Sequence, residues 1–424
     1  MKIWISEGNR AINYESVFNY FKDAEFALFE DETFFKKNYA DIFLTSDEYN
    51  YHSTSRLLSA KSLGIPTLHI VDGICEWRNT WENPRSLDQS VGMPLFQPLL
   101  ADKVVCLGPA QARLFESWGS HGKCEVAGLP RFDATLLEAK NRKFQNTPYA
   151  TNGLITIATA RTAGFTPAQQ KLAEKCLFDI NHWFETKHPE LMRYVVWRPG
   201  NKDYLPMNPV GRVSDASHEA LLDILKGSRV FITTPSTAAL EAMLLGIPTC
   251  VADYTNSPRF LNSAWFISAE NHLDQELTAL LSPTAQRLQF QQHLLHDQVR
   301  CDSLAAPRVA QLIEEMVAHA RFLRARNSEL NLPPSMVPAL QEFEEFSYPY
   351  RPELLFPAHP VFCRTDLPAI QAENGHLHLK ISALEAELRR RSMARHITDF
   401  LKRLVHFAAR RLRAMKNRFS GDIQ

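Results

Sequence analysis

The chain lacks the features that usually place a protein quickly. It has no net charge: Lys plus Arg number 47, Asp plus Glu 47, for a formal +0. No overall excess of one sign suggests a nucleic-acid partner, and none is expected. There is no Cys-x-x-Cys and no Cys/His spacing of a metal site. The seven cysteines are scattered from Cys75 to Cys363, as expected for reduced thiols in a cytoplasm. Neither a metal nor a cofactor is expected. No apolar run reaches the length of a membrane-spanning helix. The opening "MKIWISEGNR" reads as a strand and not as a basic-then-apolar leader. There is no G-x-x-x-x-G-K-[ST], and no G-x-G-x-x-G follows the first strand, which weakens NTPase and dinucleotide readings. The expectation is a cytoplasmic protein whose membrane contact, if any, is peripheral.

What is present is an ordinary globular composition, 45% hydrophobic and 22% charged over 424 residues. That length exceeds what one core usually spans, so two domains plus an extension are expected. The first part alternates strand-like runs ("KIWIS", "AEFALF", "ADIFLTS", "PTLHIV", "KVVCLG", "CEVAG") with helical ones such as "YHSTSRLLSAKSLG" and "PAQARLFESWG". A second series follows: "GLITIATA", a long helix, "RYVVWRP", "HEALLDILKGS", "RVFIT", another helix and "TCVAD". Such alternation predicts parallel, doubly wound sheets. The fold class read here is α/β, two Rossmann-like domains facing a cleft, with a helical C-terminal extension. The expected domains are 1–145 for the acceptor, 146–325 for the nucleotide donor, a Pro- and aromatic-rich arm at 326–368, and a coiled-coil-like and basic amphipathic helix at 369–424.

Ligands in such folds bind outside the carboxyl ends of the strands, so residues there are the candidates. "TTPSTAALEAMLLGIPT", from Thr233, puts hydroxyls where a strand feeds a helix. Thr234 is expected to cap that helix, with Pro235 at its first position and Ser236 and Thr237 in its first turn. Helix-start amides with hydroxyls make an anion pocket, and a phosphate is the expected guest. The bland alternative, that they only cap a buried helix, is equally open. Arg198-Pro199 ends another strand, where the guanidinium can fork onto a phosphate. Arg161 and Thr162 end a third, with a weaker signal. In the first half, "HIVDGICEWRNTWENPR" ends a strand on Asp72-Gly73 and continues through Glu76, Trp77, Arg78, Asn79 and Trp81. Tryptophan faces beside polar groups suit sugar rings. Asp72 and Glu76 are the candidate catalytic carboxylates, and Trp77, Arg78, Asn79 and Trp81 the candidate acceptor contacts. An Asp-Gly turn without chemistry and tryptophans in a core are the plain alternatives. "GLPRFD" reads as a domain-edge turn and helix cap from which Arg131 could reach the cleft.

The Ser/Thr-rich stretch resembles the donor-site helix of two-domain GT-B glycosyltransferases. "VDGICEWRN" resembles the acidic-acidic-Gly motif of bacterial sialyltransferases, polysialyltransferases and Kdo transferases that use CMP-activated sugars. That resemblance implies a catalytic carboxylate at Asp72, a phosphate contact at Arg198-Pro199, and nucleotide contacts at Ser236 and Thr237. Two positions depart from it: Val71 stands where the family often has a second acid, and Arg198 replaces a histidine. The resemblance implies a transferase moving a sugar, Kdo or a sialic acid, to a lipopolysaccharide or capsule glycan. A UDP-sugar or CDP-glycerol transferase, a nucleotide-sugar epimerase of the same fold, and a non-catalytic scaffold are the alternatives. Between Arg389 and Arg418 basic residues face a single acid, Asp399, and Ile397, Leu401, Leu404 and Leu412 share one helical stripe. The pattern is that of an interfacial helix on an anionic inner membrane surface.

Overall fold

The computed structural model describes residues 1–6, 15–28, 40–84, 94–97, 99–144, 153–215 and 218–340. The expected interfacial helix, its heptad-like approach and most of the Pro- and aromatic-rich arm lie outside these residues.

The β-branched and aromatic runs form two all-parallel sheets. In the first, β1 (Lys2–Ile5), β2 (Glu25–Leu28), β3 (Ile42–Thr45), β4 (Thr67–Ile70), β5 (Lys103–Cys106) and β6 (Cys124–Val126) are ordered β2-β1-β3-β4-β5-β6. In the second, β7 (Leu154–Ala158), β8 (Val195–Arg198), β9 (Arg212–Val213), β10 (Ser228–Thr233), β11 (Thr249–Ala252) and β12 (Trp265–Ile267) are ordered β12-β11-β10-β7-β8-β9. Strands β3, β4, β5 and β11 are buried along their whole length. That is the pattern of parallel strands covered on both faces. This is the doubly wound architecture expected for both halves.

Local signals set the helix ends. Asn50 caps α2 (Tyr51–Ser62), after the one-turn α1 (Glu15–Phe18), by accepting from Ser53 N. Thr166 and Gln169 form a capping box at the start of α5 (Pro167–Lys187), which follows α3 (Pro109–Ser117) and α4 (Asp133–Phe144). His188-Pro189 ends α5, as proline requires. Short helices α6 (Leu221–Lys226) and α7 (Ala238–Leu244) flank β10, and α8 (Leu273–Leu281) and α9 (Ala285–Gln298) follow β12.

The chain then returns to the first domain. Arg300 N donates to Leu107 O at 2.7 Å, and a Cβ on Gly108 would lie 2.4 Å from the Gln298 carbonyl carbon. Only glycine permits that crossing. Beyond it, α10 (Ala305–Ala325) sets Val309, Leu312, Ile313 and Met316 against Ile3, Ile5, Ile42 and Leu44 of the first sheet. Among the described residues, those from Leu154 to Gln298 build the second sheet and its helices, whereas Ala305–Ala325 covers the first. The described start of the arm packs there too. Buried Glu125, paired with Lys103 Nζ at 2.6 Å, accepts from Met336 N and Val337 N.

The two halves share core. Val71, Cys75, Leu107 and Phe115 of the first pack in one apolar cluster with Leu240, Met243, Val251 and Leu261 of the second. Ala139 of α4 joins Ala158, Leu225 and Phe231 across the same boundary.

Candidate functional site

The segment after β4 leaves the first domain and lodges between the two sheets. Gly73 begins it, because a Cβ there would lie 2.3 Å from the Thr237 hydroxyl. That hydroxyl accepts from Ile74 N at 3.2 Å, and Gln111 Nε2 donates to Gly73 O at 3.1 Å. The Asp-Gly turn is thus pressed onto the start of α7. Asp72 itself is exposed. Its carbonyl accepts from Arg131 Nη1 at 3.1 Å, and Arg131 Nη2 reaches Glu241 Oε1 of α7 at 2.8 Å. Among the described residues its carboxylate makes no hydrogen bond, so it stands free at the rim.

The next residues cross over. Arg78, 2% exposed, donates from Nη1 to Ala163 O at 3.0 Å and lies 3.5 Å from Asp253 Oδ1, both in the second domain. Its Nη2 pairs with Glu76. Burial pushes the Glu76 carboxyl up to about 7, with Arg78 pulling it down and Asp253 adding to the rise. Trp77 Nε1 donates to Glu82 Oε1 at 3.0 Å, while Glu82 Oε2 accepts from Gln169 of α5. The Trp77 and Trp81 rings lie 5.6 Å apart, and Trp77 sits 6.2 Å from Phe260. Asn79 accepts from Asn83 Nδ2 at 2.7 Å. Of the expected acceptor contacts, Arg78 is therefore engaged inside the domain joint. Trp77 and Trp81 are half-buried, and the Trp81 indole N–H has no partner among the described residues.

In the second domain the ends of β7, β8 and β10 make one rim. Arg198 ends β8 and donates from Nη2 to Glu219 O at 3.2 Å, leaving its buried Nε without a described partner. After Pro199, Gly200 N donates to Thr159 O at 3.1 Å, and a Cβ on Gly200 would lie 2.6 Å from Arg161 N. The Arg161-Thr162 loop, both side chains exposed, is thereby packed on the Arg198-Pro199 turn. Thr234 departs from its expected role. It is 2% exposed, and its hydroxyl accepts from Ala160 N at 2.8 Å, tying β10 to the loop after β7. Helix α7 starts four residues later, at Ala238, with Ser236 Oγ accepting from Ala238 N at 3.2 Å. Thr234 cannot cap it because the strand's neighbour holds it first. The expected anion pocket at the helix start thus reduces to Ser236, whose side chain is half-buried, and the amides of the turn.

A second polar cluster sits behind the Asp72 turn, unmarked by the motifs. Glu48 accepts from Leu100 N and Ala101 N at 3.0 Å each, and its Oε2 lies 3.5 Å from His69 Nδ1. Burial lowers the His69 pKa, but Glu48, Asp47 and Asp72 together raise it above the ordinary histidine value. Tyr49, 5.7 Å from His69 between ring centres, has its hydroxyl buried and its pKa pushed well up, first by burial and then by Glu48 and Asp47. The signal was the acidic "SDEY" at the end of β3. Asp253, at the end of "TCVAD", is the other residue the motifs passed over.

No protein-family model matches the chain, and no curated protein matches it in sequence. Solved structures do. The UDP-GlcNAc 2-epimerase from Neisseria meningitidis, bound to UDP-GlcNAc, aligns at TM-score 0.50 and 13% identity over 75% of this chain and 100% of that one. A putative UDP-N-acetylglucosamine 2-epimerase from Listeria monocytogenes aligns at 0.49 and 14%, over 74% and 96%. The wall teichoic acid polymerase TagF aligns at 0.48 and 11%, over 75% and 89%. The first of these, at 13% identity, establishes the fold alone: two Rossmann-like domains in the GT-B arrangement.

Proposed function

We propose that the protein is an enzyme acting on a nucleotide-activated sugar, with a nucleoside diphosphate as the activating group. One observation carries the reading. The Gly73–Thr237 contact packs the turn that carries Asp72 in one domain against Thr237 of the other, and the Asp72 side chain is exposed. Phosphates on Ser236, Arg198, Arg161 and Thr162 would leave the sugar between that rim and Asp72. There Asp72 serves as base or nucleophile, typically worth 10²–10⁴-fold or more. Arg198 and the turn amides neutralise the departing phosphate.

The motif likeness points instead to a nucleoside monophosphate, a CMP-sugar donor of Kdo or a sialic acid, and to transfer onto a glycan or glycolipid acceptor. The likeness of fold to an enzyme bound to UDP-GlcNAc favours UDP, and with it a second reading, epimerisation of the nucleotide sugar in place. An anionic membrane surface as partner of the basic stretch from Arg389 to Arg418 rests on sequence alone.

A thermal-shift panel of UDP, CDP, GDP and CMP tests the nucleotide site, since a ligand of the folded state raises the midpoint by mass action. UDP or CDP is expected to give the largest rise. No rise with any nucleotide sinks the reading and leaves a non-catalytic scaffold. Incubation with UDP-GlcNAc in deuterated water then separates the chemistries. Deuterium in an intact nucleotide sugar marks epimerisation, and nucleotide release that requires an added glycan marks transfer.

A further inference from the structure

The cavity bounded by α3, α7, α9 and the loop 259–262 has no part in the reading above. It measures about 310 Å³, at the lower end of the ~300–1,000 Å³ typical of small-molecule sites. Its body is apolar, built by Ile74, Leu107, Leu114, Leu240 and Phe260. The amides on its wall are already engaged. Gln111 accepts from Leu107 N at 2.9 Å and donates to Gly73 O at 3.1 Å. Gln298 accepts from Asn262 N at 2.7 Å and donates to Asn262 O at 2.8 Å. A ligand in this space therefore meets hydrocarbon and amides fixed in place.

Its two arginines differ. Arg113 is held by both oxygens of Asp297, at 2.7 Å each. Arg259 is not held by a carboxylate: its guanidinium carbon lies 3.5 Å from the centre of the Phe266 ring, and no described residue accepts a hydrogen bond from it. The ring covers one face of the guanidinium and leaves its N–H edge free, the pre-oriented fork that recognises carboxylates and phosphates.

We propose that this cavity binds a small amphiphilic anion, its hydrocarbon body against Leu114, Leu240 and Phe260 and its phosphate or carboxylate on Arg259. The site is separate from the nucleotide rim, which is built by the ends of β7, β8 and β10. Its floor, Ile74 and Cys75, directly follows Asp72-Gly73. An occupant would stiffen the turn that carries the exposed carboxylate.

Isothermal titration of the full-length protein with hexyl phosphate, hexanoate, hexanol and inorganic phosphate tests the proposal. At least one of the two hexyl anions is expected to bind at one site, tenfold or more tighter than hexanol or inorganic phosphate. Ala110→Phe, on the cavity wall, fills the space and should abolish that binding. Arg259→Gln should weaken it by about ten- to a hundredfold, the loss of one charged hydrogen bond. UDP affinity, titrated in parallel, should be unchanged in both variants. A failure of the cavity is thereby distinct from a failure of the nucleotide site, and retained UDP affinity shows the variants are folded. Absence of binding by both anions, or undiminished binding by Ala110→Phe, overturns the proposal.

Discussion

Gly73 and Thr237 stand so close that no side chain fits between them: a Cβ at 73 would lie 2.3 Å from the threonine hydroxyl and 3.4 Å from its Cβ. One contact thus joins the turn bearing Asp72 to the helix of the second domain. Gly73→Ala is expected to push the two apart and to destabilise by ~1–3 kcal/mol, the usual range for overpacking. Thr237→Ala removes the hydroxyl and leaves the more distant Cβ. It costs the bond from Ile74 N but makes room for the methyl. The double variant should be more stable than the sum of the single losses implies, a coupling read from a denaturant double-mutant cycle. Strict additivity would show that the contact does not constrain the domains.

Arg78 is the cation of the domain joint, with Glu76, Asp253 and Ala163 O around it. Arg78→Met leaves the buried Asp253 and the half-buried Glu76 without their counter-charge and is expected to cost up to ~3–5 kcal/mol. Lysine keeps the charge but has no fork to reach three acceptors, so Arg78→Lys should fall between. Adding Glu76→Gln to Arg78→Met should recover part of the loss. Urea unfolding of the series checks this order, and an Arg78→Met variant as stable as the parent would place the residue outside the joint.

Much of this was legible because the signals were local. Buried parallel strands need apolar runs, and the "VVC" of β5 and the "CVA" of β11 show them. Two strands were missed for the same physical reason. Arg212–Val213 is a two-residue, exposed edge, and Trp265–Ile267 is three residues long. What sequence could not show were choices made between distant segments. Thr234 is chemically able to cap a helix, but Ala160 N takes its hydroxyl, and the helix starts after Thr237. Arg78 sits in a polar, aromatic stretch that reads as acceptor contacts, and Asp253 and Ala163 O draw it inside. The apolar stripe of Val309, Ile313 and Met316 announces a helix, but the crossing at Gly108 selects the sheet it covers.

Glu76 makes stability depend on pH. Its folded value of about 7 lies above the ~4.3 of an exposed glutamate. Between those values the folded state binds the proton more tightly than the unfolded chain. The slope of unfolding free energy against pH is then negative. The contribution of Glu76 is greatest below about pH 4 and falls as pH rises to about 7. Above that both states are ionised and the loss is complete. Glu76→Gln removes this part of the slope. Denaturation midpoints of parent and variant from pH 5 to 8 should diverge towards pH 8, the parent declining more. Parallel curves would mean that Glu76 titrates normally.

Asp72 and Arg198 should separate chemistry from binding. The Asp72 carboxylate is exposed and unengaged among the described residues, while the turn is held through its backbone by Arg131 and Thr237. Asp72→Asn therefore keeps the turn and removes only the charge. Turnover is expected to fall by ~10²–10⁴, with nucleotide affinity and melting temperature near the parent. Arg198 has one described hydrogen bond, to Glu219 O, and a buried Nε that no described residue accepts from. Arg198 ends β8 beside the turn on which the Arg161 loop is packed, so a phosphate there would lose a charged partner in Arg198→Ala. That loss, ~1.5–3 kcal/mol, is about ten- to a hundredfold in nucleotide affinity. Acceptor affinity should not move. Titration calorimetry with UDP and steady-state turnover on both variants give the four numbers required. Should Asp72→Asn keep its activity while Glu76→Gln loses it, the catalytic carboxylate is Glu76. Should Arg198→Ala bind nucleotide normally, the phosphate rests on Arg161, whose exposed guanidinium lies on the same rim.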